Sequence, residues 1–446
     1  MANKIEPQKI PVAILGAGMA GLSAALYIQS QKEQIPYLIY ESSNIAGGIS
    51  SSFTIDGFTF DYGIHGIYSK NEGFLRFLTE EIGGKHKKFR ISISDYWKGI
   101  WVGHPIYFNL SEISREEAAI FLNDFLQTKV DSSSKNIHDY KEWCLINLGK
   151  KISEEFVFPY IRKFWAVEPE ELTHKWMGER VKSPSIQEIV NGALLKSPPN
   201  SHYVKGVYYP QVPGFGGYAT KMASKLKIQY NKKVVSISPQ TKTIRFADGE
   251  SITYEAIIST IPLPELVRIT EGAPQEIVRE TRNLRATSLM LINIGVSRRK
   301  ALKYHWVYLL DPEIPFARLS SPSMWSNKNA PKGTSSIQAE IYFLGTEPNR
   351  EMTFNTVVAS LENMGVLKHD DNLIVKDIRV RDYANIIHDH ARLSSIKKIH
   401  EFLQKKQIAF CGRYSFWDYS LIDEVNLKAQ LTAQKVIDTF TKDFNS

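Results

Sequence analysis

A glycine-rich turn near the start of the chain holds the first residues whose types and spacing could do chemistry. Gly16, Gly18 and Gly21 form a G-x-G-x-x-G turn between the apolar run 12–15 and the helix predicted over 22–31. In such a turn one glycine allows the bend, one lets the backbone approach a pyrophosphate, and one permits close packing of helix on strand. The free N–H groups at the helix N-terminus favour phosphate charge. The turn therefore predicts a dinucleotide site.

An acidic residue follows at the distance that such a site requires. Residues 37–40 predict a second strand, and Glu41 comes 20 positions after Gly21, where a carboxylate accepts a hydrogen bond from a ribose 2′-hydroxyl. An acid there disfavours the 2′-phosphate of NADP. Gly47 and Gly48 come next, and this double glycine resembles the extension of glutathione-reductase-like FAD folds, although an ordinary turn has the same composition. The segment favours FAD, with these predicted contacts: Gly16, Ala17, Gly18, Met19, Ala20, Gly21, Glu41, Ser42, Gly47, Gly48 and Ile49.

The composition sets the broad class of protein. The chain has 446 residues, of which 43% are hydrophobic and 23% charged, enough for a sizeable core and more than one domain. Cys144 and Cys411 are the only cysteines, too few for a disulfide framework or a zinc site. No apolar run approaches the ~20 residues that span a bilayer, and residues 1–10 lack the apolar region of a signal peptide. We expect a cytoplasmic protein without a transmembrane segment.

The net charge is +8, which suits an anionic partner such as a nucleotide-linked substrate or a membrane surface. The charge is spread along the chain, and its short clusters at 85–88 and 298–300 are typical of solvated faces. No nucleic-acid-binding motif is recognisable. We therefore expect a small-molecule partner and no nucleic acid, and the oligomeric state stays open.

The order of elements predicts an α/β fold with two interleaved parts. Alternating segments flank Asp56-Gly57 and Asp248-Gly249, and such pairs favour hairpins. The second hairpin returns the chain to the first part, as in a glutathione-reductase-like FAD-binding Rossmann domain, and a discontinuous substrate domain of antiparallel sheet plus helices completes the fold. The predicted FAD-binding parts are 1–90, 206–270 and 401–446, and the substrate parts are 91–205 (helical) and 271–400 (sheet).

Two polar side chains are predicted to be catalytic. His65 lies between Gly63 and Gly66, so it either approaches a flat ring system or has a structural role. Arg318 is embedded in an uncharged segment, where an unpaired buried arginine would be costly. It therefore faces either a carboxylate or phosphate of a substrate or a structural acid such as Glu340. Further cofactor contacts are predicted at Gly63, Ile64, His65 and Val235.

Trp165 follows the helix predicted over 153–164. It would either stack on a base or ring in a substrate pocket or close the helix inside the core. Residues 183–205 are polar with three prolines, which predicts a loop or lid. The candidate substrate contacts are Trp165, Arg180, Tyr208 and Tyr383.

These segments together resemble the amine-oxidase and protoporphyrinogen-oxidase superfamily of FAD enzymes, and within it proteins similar to UDP-galactopyranose mutase. The glycine turn, the double glycine and the hairpin at Asp248 carry the likeness, with the short segments 163–165, 170–172 and 213–218. The spacing at the end of the chain resembles the closing flavin motif of that family, which implies cofactor contacts at Gly412, Arg413, Tyr419, Asp423 and Val425.

The chain also departs from the family. Only Arg180 stands where the family has paired arginines, with Pro184 at the second place, and Ile49 replaces an arginine that many amine oxidases carry after the double glycine. No segment resembles the later Thr-Arg-x-x-Glu-x-Lys element. In the family the paired arginines and this element handle the nucleotide-sugar diphosphate, so their absence argues against UDP-galactopyranose itself as substrate.

Three hypotheses follow from the resemblance. The first is an FAD oxidoreductase that takes a hydride from a small organic substrate, with His65 and Arg318 orienting it. The second is a mutase-like isomerisation of a nucleotide sugar on reduced FAD, with Arg180, Arg318 and Trp165 holding diphosphate and base. The third is a flavin-binding protein without catalysis. The incomplete mutase motifs favour the first.

Overall fold

The computed structural model describes residues 8–32, 34–83, 85–130, 136–176, 183–196 and 206–443. The strands in these ranges are β1 (Gln8–Leu15), β2 (Tyr37–Tyr40), β3 (Ser52–Ile55), β4 (Phe58–Asp61), β5 (His86–Phe89), β6 (Ile93–Trp97), β7 (Ile100–Gly103), β8 (Val207–Pro210), β9 (Ile228–Gln229), β10 (Val234–Ser238), β11 (Thr243–Phe246), β12 (Ser251–Ser259), β13 (Ser288–Val296), β14 (Trp306–Leu309), β15 (Arg318–Ser320), β16 (Ser335–Phe343), β17 (Leu373–Arg381) and β18 (Ala409–Phe410).

The α-helices of the same ranges, which short 3₁₀ and π turns supplement, are α1 (Met19–Ser30), α2 (Glu72–Arg76), α3 (Arg115–Val130), α4 (Tyr140–Leu148), α5 (Lys150–Ile152), α6 (Phe158–Trp165), α7 (Ile186–Leu194), α8 (Gly217–Ala223), α9 (Leu263–Ile269), α10 (Gln275–Glu280), α11 (Pro322–Trp325), α12 (Arg350–Asn363), α13 (Arg392–Lys405), α14 (Arg413–Phe416) and α15 (Ile422–Asp443).

The first sheet is built around β1. Among the described residues its order is β10-β11-β12-β1-β2-β9, with β18 beside β12. The pairs of β1 with β2 and β12 are parallel, and β1 is a run of apolar residues because both faces of such a strand are covered. Helices α1 and α15 cover one face, and small buried side chains (Ala24, Ala25, Ala429 and Ala433) let them pack closely.

The second sheet has the order β17-β13-β16-β15-β14-β6-β7 in the described chain. Its pairs are antiparallel except that of β14 with β6, which is parallel. One face packs against the aromatic core of helices α3, α4 and α6, and the other against α12. The predicted α/β class, with a Rossmann-like sheet and a mainly antiparallel second sheet, is confirmed.

Both predicted hairpins are present. Strands β3 and β4 pair antiparallel around Asp56 and Gly57, which have φ of +49° and +79°. Positive φ at both central residues is the conformation that favours an Asp-Gly pair in a two-residue hairpin. Strands β11 and β12 likewise pair around Gly249, whose φ is +90°.

The segment predicted as a loop over 183–205 contains a helix. Ser185 and Glu188 form a reciprocal capping box at the start of α7, which satisfies two of the free N–H groups of that helix end. The polar composition and prolines concealed this cap, and residues 197–205 lie outside the described ranges. The domain limits stay a prediction, and we note that α13, which spans the predicted limit at 400, packs in the core of the first sheet.

In the described ranges, helices both long and apolar enough to cross a membrane are absent. The cytoplasmic location stays a prediction from the sequence.

A buried histidine directly before β14 generates a pH prediction. His305 is 7% exposed, and its Nδ1 accepts a hydrogen bond from the Ser92 N–H at 3.1 Å. Burial lowers its pKa to about 4, against about 6.5 in an unfolded chain. Between these values the unfolded chain holds a proton that the folded protein does not. Lowering the pH from about 7 to about 5 should therefore reduce the free energy of unfolding by ~2 kcal/mol through this residue.

Denaturant unfolding of His305→Gln at both pH values measures this contribution. The variant should lose that part of the pH dependence, whereas a substitution of the exposed His369, His369→Gln, should keep it. Equal pH dependence in His305→Gln and the unmodified protein would contradict the assignment.

Candidate functional site

The glycine turn has the geometry that its sequence predicts. Gly16 has φ of +101°, and a Cβ there would lie 2.2 Å from Thr260 Oγ1. A Cβ on Gly21 would lie 1.9 Å from the carbonyl oxygen of Gly16, so this glycine is needed for packing of α1 on the turn. Gly18, at the N-cap of α1, has no atom within 4 Å of its notional Cβ. The space beside Gly18 is therefore open to a ligand.

Glu41 is fixed against the turn. Its Oε2 accepts a hydrogen bond from the Ala17 N–H at 2.7 Å, and its Oε1 accepts from the N–H and Oγ of Ser43, both at 2.9 Å. The side chain is 8% exposed and borders the cleft described below. These bonds orient the carboxylate, whose oxygens can accept a further hydrogen bond from a hydroxyl group.

The double glycine joins the turn directly. The Gly47 N–H donates to the Ala17 carbonyl at 2.8 Å, and Gly47 and Gly18 form an isolated parallel bridge. Gly47 and Gly48 have φ of +115° and +55°, conformations that favour glycine. The two glycine segments therefore form one surface.

A cleft of about 920 Å³ runs from this glycine surface to the second sheet. Of the predicted cofactor contacts, those that border it are Gly16, Gly18, Met19, Ala20, Glu41, Ser42, Gly47, Gly48, Ile49, Gly63, Ile64, His65, Val235, Gly412, Arg413, Tyr419 and Val425. Ala17, Gly21 and Asp423 do not border it: the first two pack inside the turn, and Asp423 accepts a hydrogen bond from Ser69 Oγ.

The closing segment supplies one of the cationic groups of the cleft. Gly412 has φ of +106°, and its notional Cβ would lie 3.0 Å from that of Ala20. Arg413 follows, with its guanidinium 4.6 Å from the centre of the Tyr419 ring. Its Nε is buried without a hydrogen-bond partner in the described chain. A buried, unsatisfied donor is costly, so the geometry suits an anionic or polar ligand group at Arg413.

Arg318 pairs with a buried acid, one of the two possibilities that its sequence left open. Its Nε donates to Glu340 Oε2 at 2.5 Å, and its Nη2 donates to Tyr342 Oη at 2.9 Å. Burial opposes the charge, but Glu340, which is 0% exposed, raises the pKa of Arg318 well above its ordinary value. Glu340 Oε1 also accepts from the Ile64 N–H at 2.8 Å.

His65 borders the cleft beside this pair. Its ring stacks on Phe215 with 5.2 Å between centroids, and its Nδ1 lies 3.1 Å from the Gly63 carbonyl oxygen. A carbonyl only accepts, so Nδ1 donates and Nε2 is the basic nitrogen. Burial lowers the pKa of His65, so the imidazole is neutral at pH 7.

The candidate substrate contacts are not brought together. Trp165 is 2% exposed and lies in the core against Trp176, His388 and Tyr419, the alternative position that its helix-end context allowed. Tyr208 pairs with Lys88 across β5 and β8. The Tyr383 hydroxyl donates to Glu265 at 2.7 Å. None of these three borders the cleft, and Arg180 lies outside the described residues.

Several cleft residues were missed from the sequence: Tyr62, Thr260, Leu289, Tyr342, Asn385 and Tyr414. Tyr342 had a usable signal, because it stands two positions after Glu340 on a predicted strand and such residues share a face. Thr260 belongs to the small-residue turn after β12, where a ligand is expected in this type of sheet. Tyr62, Leu289, Asn385 and Tyr414 carried no local signal.

Comparison with known proteins assigns the family. The model of the family described as flavin containing amine oxidoreductase matches residues 19–437. The chain belongs to this family. The predicted superfamily is thereby confirmed, and FAD is the cofactor, as the glycine segments and Glu41 indicated.

Individual relatives are more distant. A chloroplastic prolycopene isomerase of Daucus carota is 24% identical over 431 residues, covering 82% of this chain and 68% of that protein. An all-trans-retinol 13,14-reductase of Homo sapiens is 35% identical over 82 residues, 18% of this chain and 13% of that protein. A crystal structure of reduced UDP-galactopyranose mutase superposes with a TM-score of 0.89 at 23% identity, covering 97% of this chain and 96% of that one. This last likeness shows the fold.

The residues present fit an FAD molecule. We propose that the glycine surface holds its pyrophosphate, that Glu41 binds the ribose, and that Arg413 meets a polar group with its unpaired Nε. The open space at Gly18 and the unpaired nitrogen of Arg413 support this assignment.

Gly18→Ala tests the assignment. The added methyl group would enter the open space, so we expect FAD affinity at least about tenfold weaker, or ~1.4 kcal/mol. The free energy of unfolding of the apoprotein should fall by less than about 1 kcal/mol, the loss that an N-cap change causes. Quenching of FAD fluorescence measures the affinity, with Gly73→Ala in α2, away from the cleft, as control. FAD affinity equal to that of the unmodified protein would refute the assigned position.

Proposed function

We propose that the protein is an FAD-dependent oxidoreductase that removes a hydride from a C–H bond, either of a carbon chain or of a carbon that carries nitrogen, in a small, largely apolar organic substrate. The observation that supports this proposal is the apolar character of the cleft beside the second sheet. Its side chains there are aromatic or aliphatic (Ile49, Tyr62, Phe164, Leu289 and Tyr342), and the cation among them, Arg318, is already paired with Glu340.

The charges at this end of the cleft compensate each other. Arg318 and Glu340 form a neutral pair, and His65 is neutral because of its burial. A diphosphate would need cations without a protein carboxylate. An uncharged substrate body avoids that desolvation cost, which supports the oxidoreductase reading over a nucleotide sugar.

The protein residues would bind and orient the substrate. The flavin supplies the hydride acceptor when bound. We propose that Tyr62, Leu289 and Phe164 hold the apolar body, that Arg318 hydrogen-bonds a polar atom next to the reacting carbon, and that neutral His65 accepts a hydrogen bond through Nε2. Because this imidazole is neutral at pH 7, it can accept a proton without first having to lose one.

A redox-neutral isomerisation is the second candidate. One relative, which covers 82% of this chain, bears the name prolycopene isomerase. This name supports rearrangement of a substrate without net electron transfer. Isomerisation of a nucleotide sugar belongs to the same class. To bind its diphosphate, the described part of the cleft offers Arg413, whereas Arg318 at the end next to the second sheet is already paired with a carboxylate.

The visible spectrum of the purified protein is the first experiment. We expect a bound flavin spectrum that bleaches anaerobically with a substrate from a panel of amines, alcohols and polyenes, with matching reduction of an added dye. Product rearrangement that requires prior dithionite reduction and consumes no dye would favour the isomerase candidate, and UDP-galactopyranose is included in that arm. Absence of turnover in both arms would leave a flavin-binding protein without catalysis.

Paired substitutions separate the structural and positioning roles of Arg318. Arg318→Met leaves the buried Glu340 without its cation, so the free energy of unfolding should fall by about 3–5 kcal/mol. The double variant Arg318→Met with Glu340→Gln removes both charges and should recover most of that loss. If Arg318 positions the substrate, the double variant still binds FAD but loses about tenfold to a hundredfold in kcat/KM, as for a hydrogen bond to a charged group. Unchanged kcat/KM in the double variant would exclude this role.

A further inference from the structure

A buried arginine at the start of α13 holds the turn that leads into the closing segment of the cleft. Arg392 is 6% exposed. Its Nε donates a hydrogen bond to the Trp417 carbonyl oxygen at 2.8 Å, and its Nη2 donates to the same oxygen and, at 3.3 Å, to Asp418 Oδ1. Each of these bonds ends on the turn after α14 rather than on α13, so the side chain fixes the turn and not its own helix.

The turn needs this support because Trp417 changes the direction of the chain in an unfavourable conformation. Trp417 ends α14 with φ of +53° and ψ of +51°, the left-handed region that is rare for bulky side chains. Its side chain is 0% exposed and packs edge-on against Tyr383, with 5.8 Å between ring centroids. The two N–H donors of Arg392 therefore bind the backbone at the point where the chain turns toward the cleft.

Asp418 connects the turn to the next residue, Tyr419. The Asp418 Oδ1 that accepts from Arg392 also accepts from the Tyr419 N–H at 2.9 Å. Its Oδ2 accepts from Lys428 Nζ of α15 at 3.1 Å, and this Nζ also donates to Ser420 Oγ at 2.8 Å. Two cations from different helices thus bind one carboxylate, and that carboxylate fixes the backbone of Tyr419.

Tyr419 is the residue through which these contacts reach Arg413. Both residues border the cleft, and the Arg413 guanidinium lies 4.6 Å from the centre of the Tyr419 ring. The Asp418 N–H also donates to the Arg413 carbonyl oxygen at 3.0 Å, so the turn contacts both the side chain and the backbone of Arg413. The Nε of Arg413 is buried without a hydrogen-bond partner in the described chain. Its position in the cleft therefore depends on the turn that Arg392 holds.

Packing of α13 alone does not account for Arg392. The helix is already held in the core of the first sheet by the apolar side chains of Ile396, Ile399, Phe402 and Leu403. A buried cation adds a cost to this core unless its donors are paired. The guanidinium presents several donors in one rigid plane, which suits simultaneous binding of a carbonyl and a carboxylate. The residue type therefore matches the task of fixing the turn.

We propose that Arg392 is a positioning residue for FAD, which acts by holding Arg413 in place through the turn 417–419. The inference rests on the proposed function, because it takes FAD as the ligand that Arg413 meets. It adds to the cofactor site a residue that does not itself border the cleft. A residue that acts through Arg413 loses its effect on FAD when Arg413 is replaced, whereas a residue that only stabilises the fold keeps its effect.

The test is a double-mutant cycle on FAD affinity, measured over the full chain by quenching of FAD fluorescence. Arg413→Met should weaken FAD binding about tenfold to a hundredfold, the effect of a hydrogen bond to a charged group. Arg392→Met should weaken it about tenfold in the unmodified protein but less than about twofold in Arg413→Met, because the two residues act as one unit. The absorption spectrum of bound FAD at saturation should change in the same direction in both single variants.

Arg298→Met is the matched control for Arg392→Met. Arg298 also binds a carbonyl oxygen and a carboxylate, those of Val366 and Asp371, and none of these residues borders the cleft. The control should lower the thermal unfolding temperature, because it too removes a paired guanidinium, but it should leave FAD affinity unchanged.

The proposal is overturned if Arg392→Met weakens FAD binding equally in both backgrounds, if it has no effect in either, or if Arg413→Met leaves FAD affinity unchanged. If Arg392→Met does not fold, Asp418→Ala replaces it, since that side chain is 45% exposed and its loss removes the acceptor of the Tyr419 N–H. Its effect on FAD affinity should likewise be lost in Arg413→Met. Because the cycle needs no turnover, failure of the proposed oxidation is seen in dye reduction and failure of the positioning role in the cycle.

Discussion

The carboxylate of Glu340 joins the two parts of the molecule that form the cleft. One oxygen binds Arg318 and Tyr342 of the second sheet, and the other accepts the Ile64 N–H from the segment after β4. The acid is 0% exposed, so each of these bonds acts in a low-dielectric interior. Gly63 has φ of +92°, and a Cβ there would lie 3.1 Å from Glu340 Oε1. The close approach of the two parts therefore depends on a glycine opposite a buried acid.

Two of the arginines that border the cleft, Arg318 and Arg413, differ in what they can bind. Arg318 is paired with Glu340, so a ligand meets a cation whose charge a protein carboxylate already compensates. Arg413 keeps an unpaired buried Nε and stacks on Tyr419, so its charge remains available. This division separates an end suited to phosphate from an end suited to an apolar body. These two environments support the proposal that the cofactor and a nearly uncharged substrate bind side by side in the cleft.

Local signals predicted the geometry of the glycine-rich end of the cleft, because turns and hairpins are decided by a few adjacent residues. The glycine turn, Glu41 and the hairpin at Asp56 belong to this group. The strand register decided the partner of Arg318. Arg318 and Glu340 are paired across β15 and β16, and only this pairing distinguishes the structural acid from the substrate group that the sequence also allowed. The position of Trp165 could not be predicted in this way, since a helix end does not show whether a side chain faces a ligand or the core. The cap of α7 was visible as Ser185 and Glu188 but was outweighed by the prolines around it.

The substrate half is determined by side chains on one sheet face, whereas the cofactor half is determined largely by backbone and glycines. Family membership therefore determines the cofactor half of the cleft more firmly than the substrate half. Along that face the charge of Arg318 is paired with that of Glu340. Changing one member leaves the other buried and uncompensated, which costs several kcal/mol. A site of this kind avoids that cost only when both members of the pair change, which is why we expect the polarity of this face to be hard to alter by a single substitution.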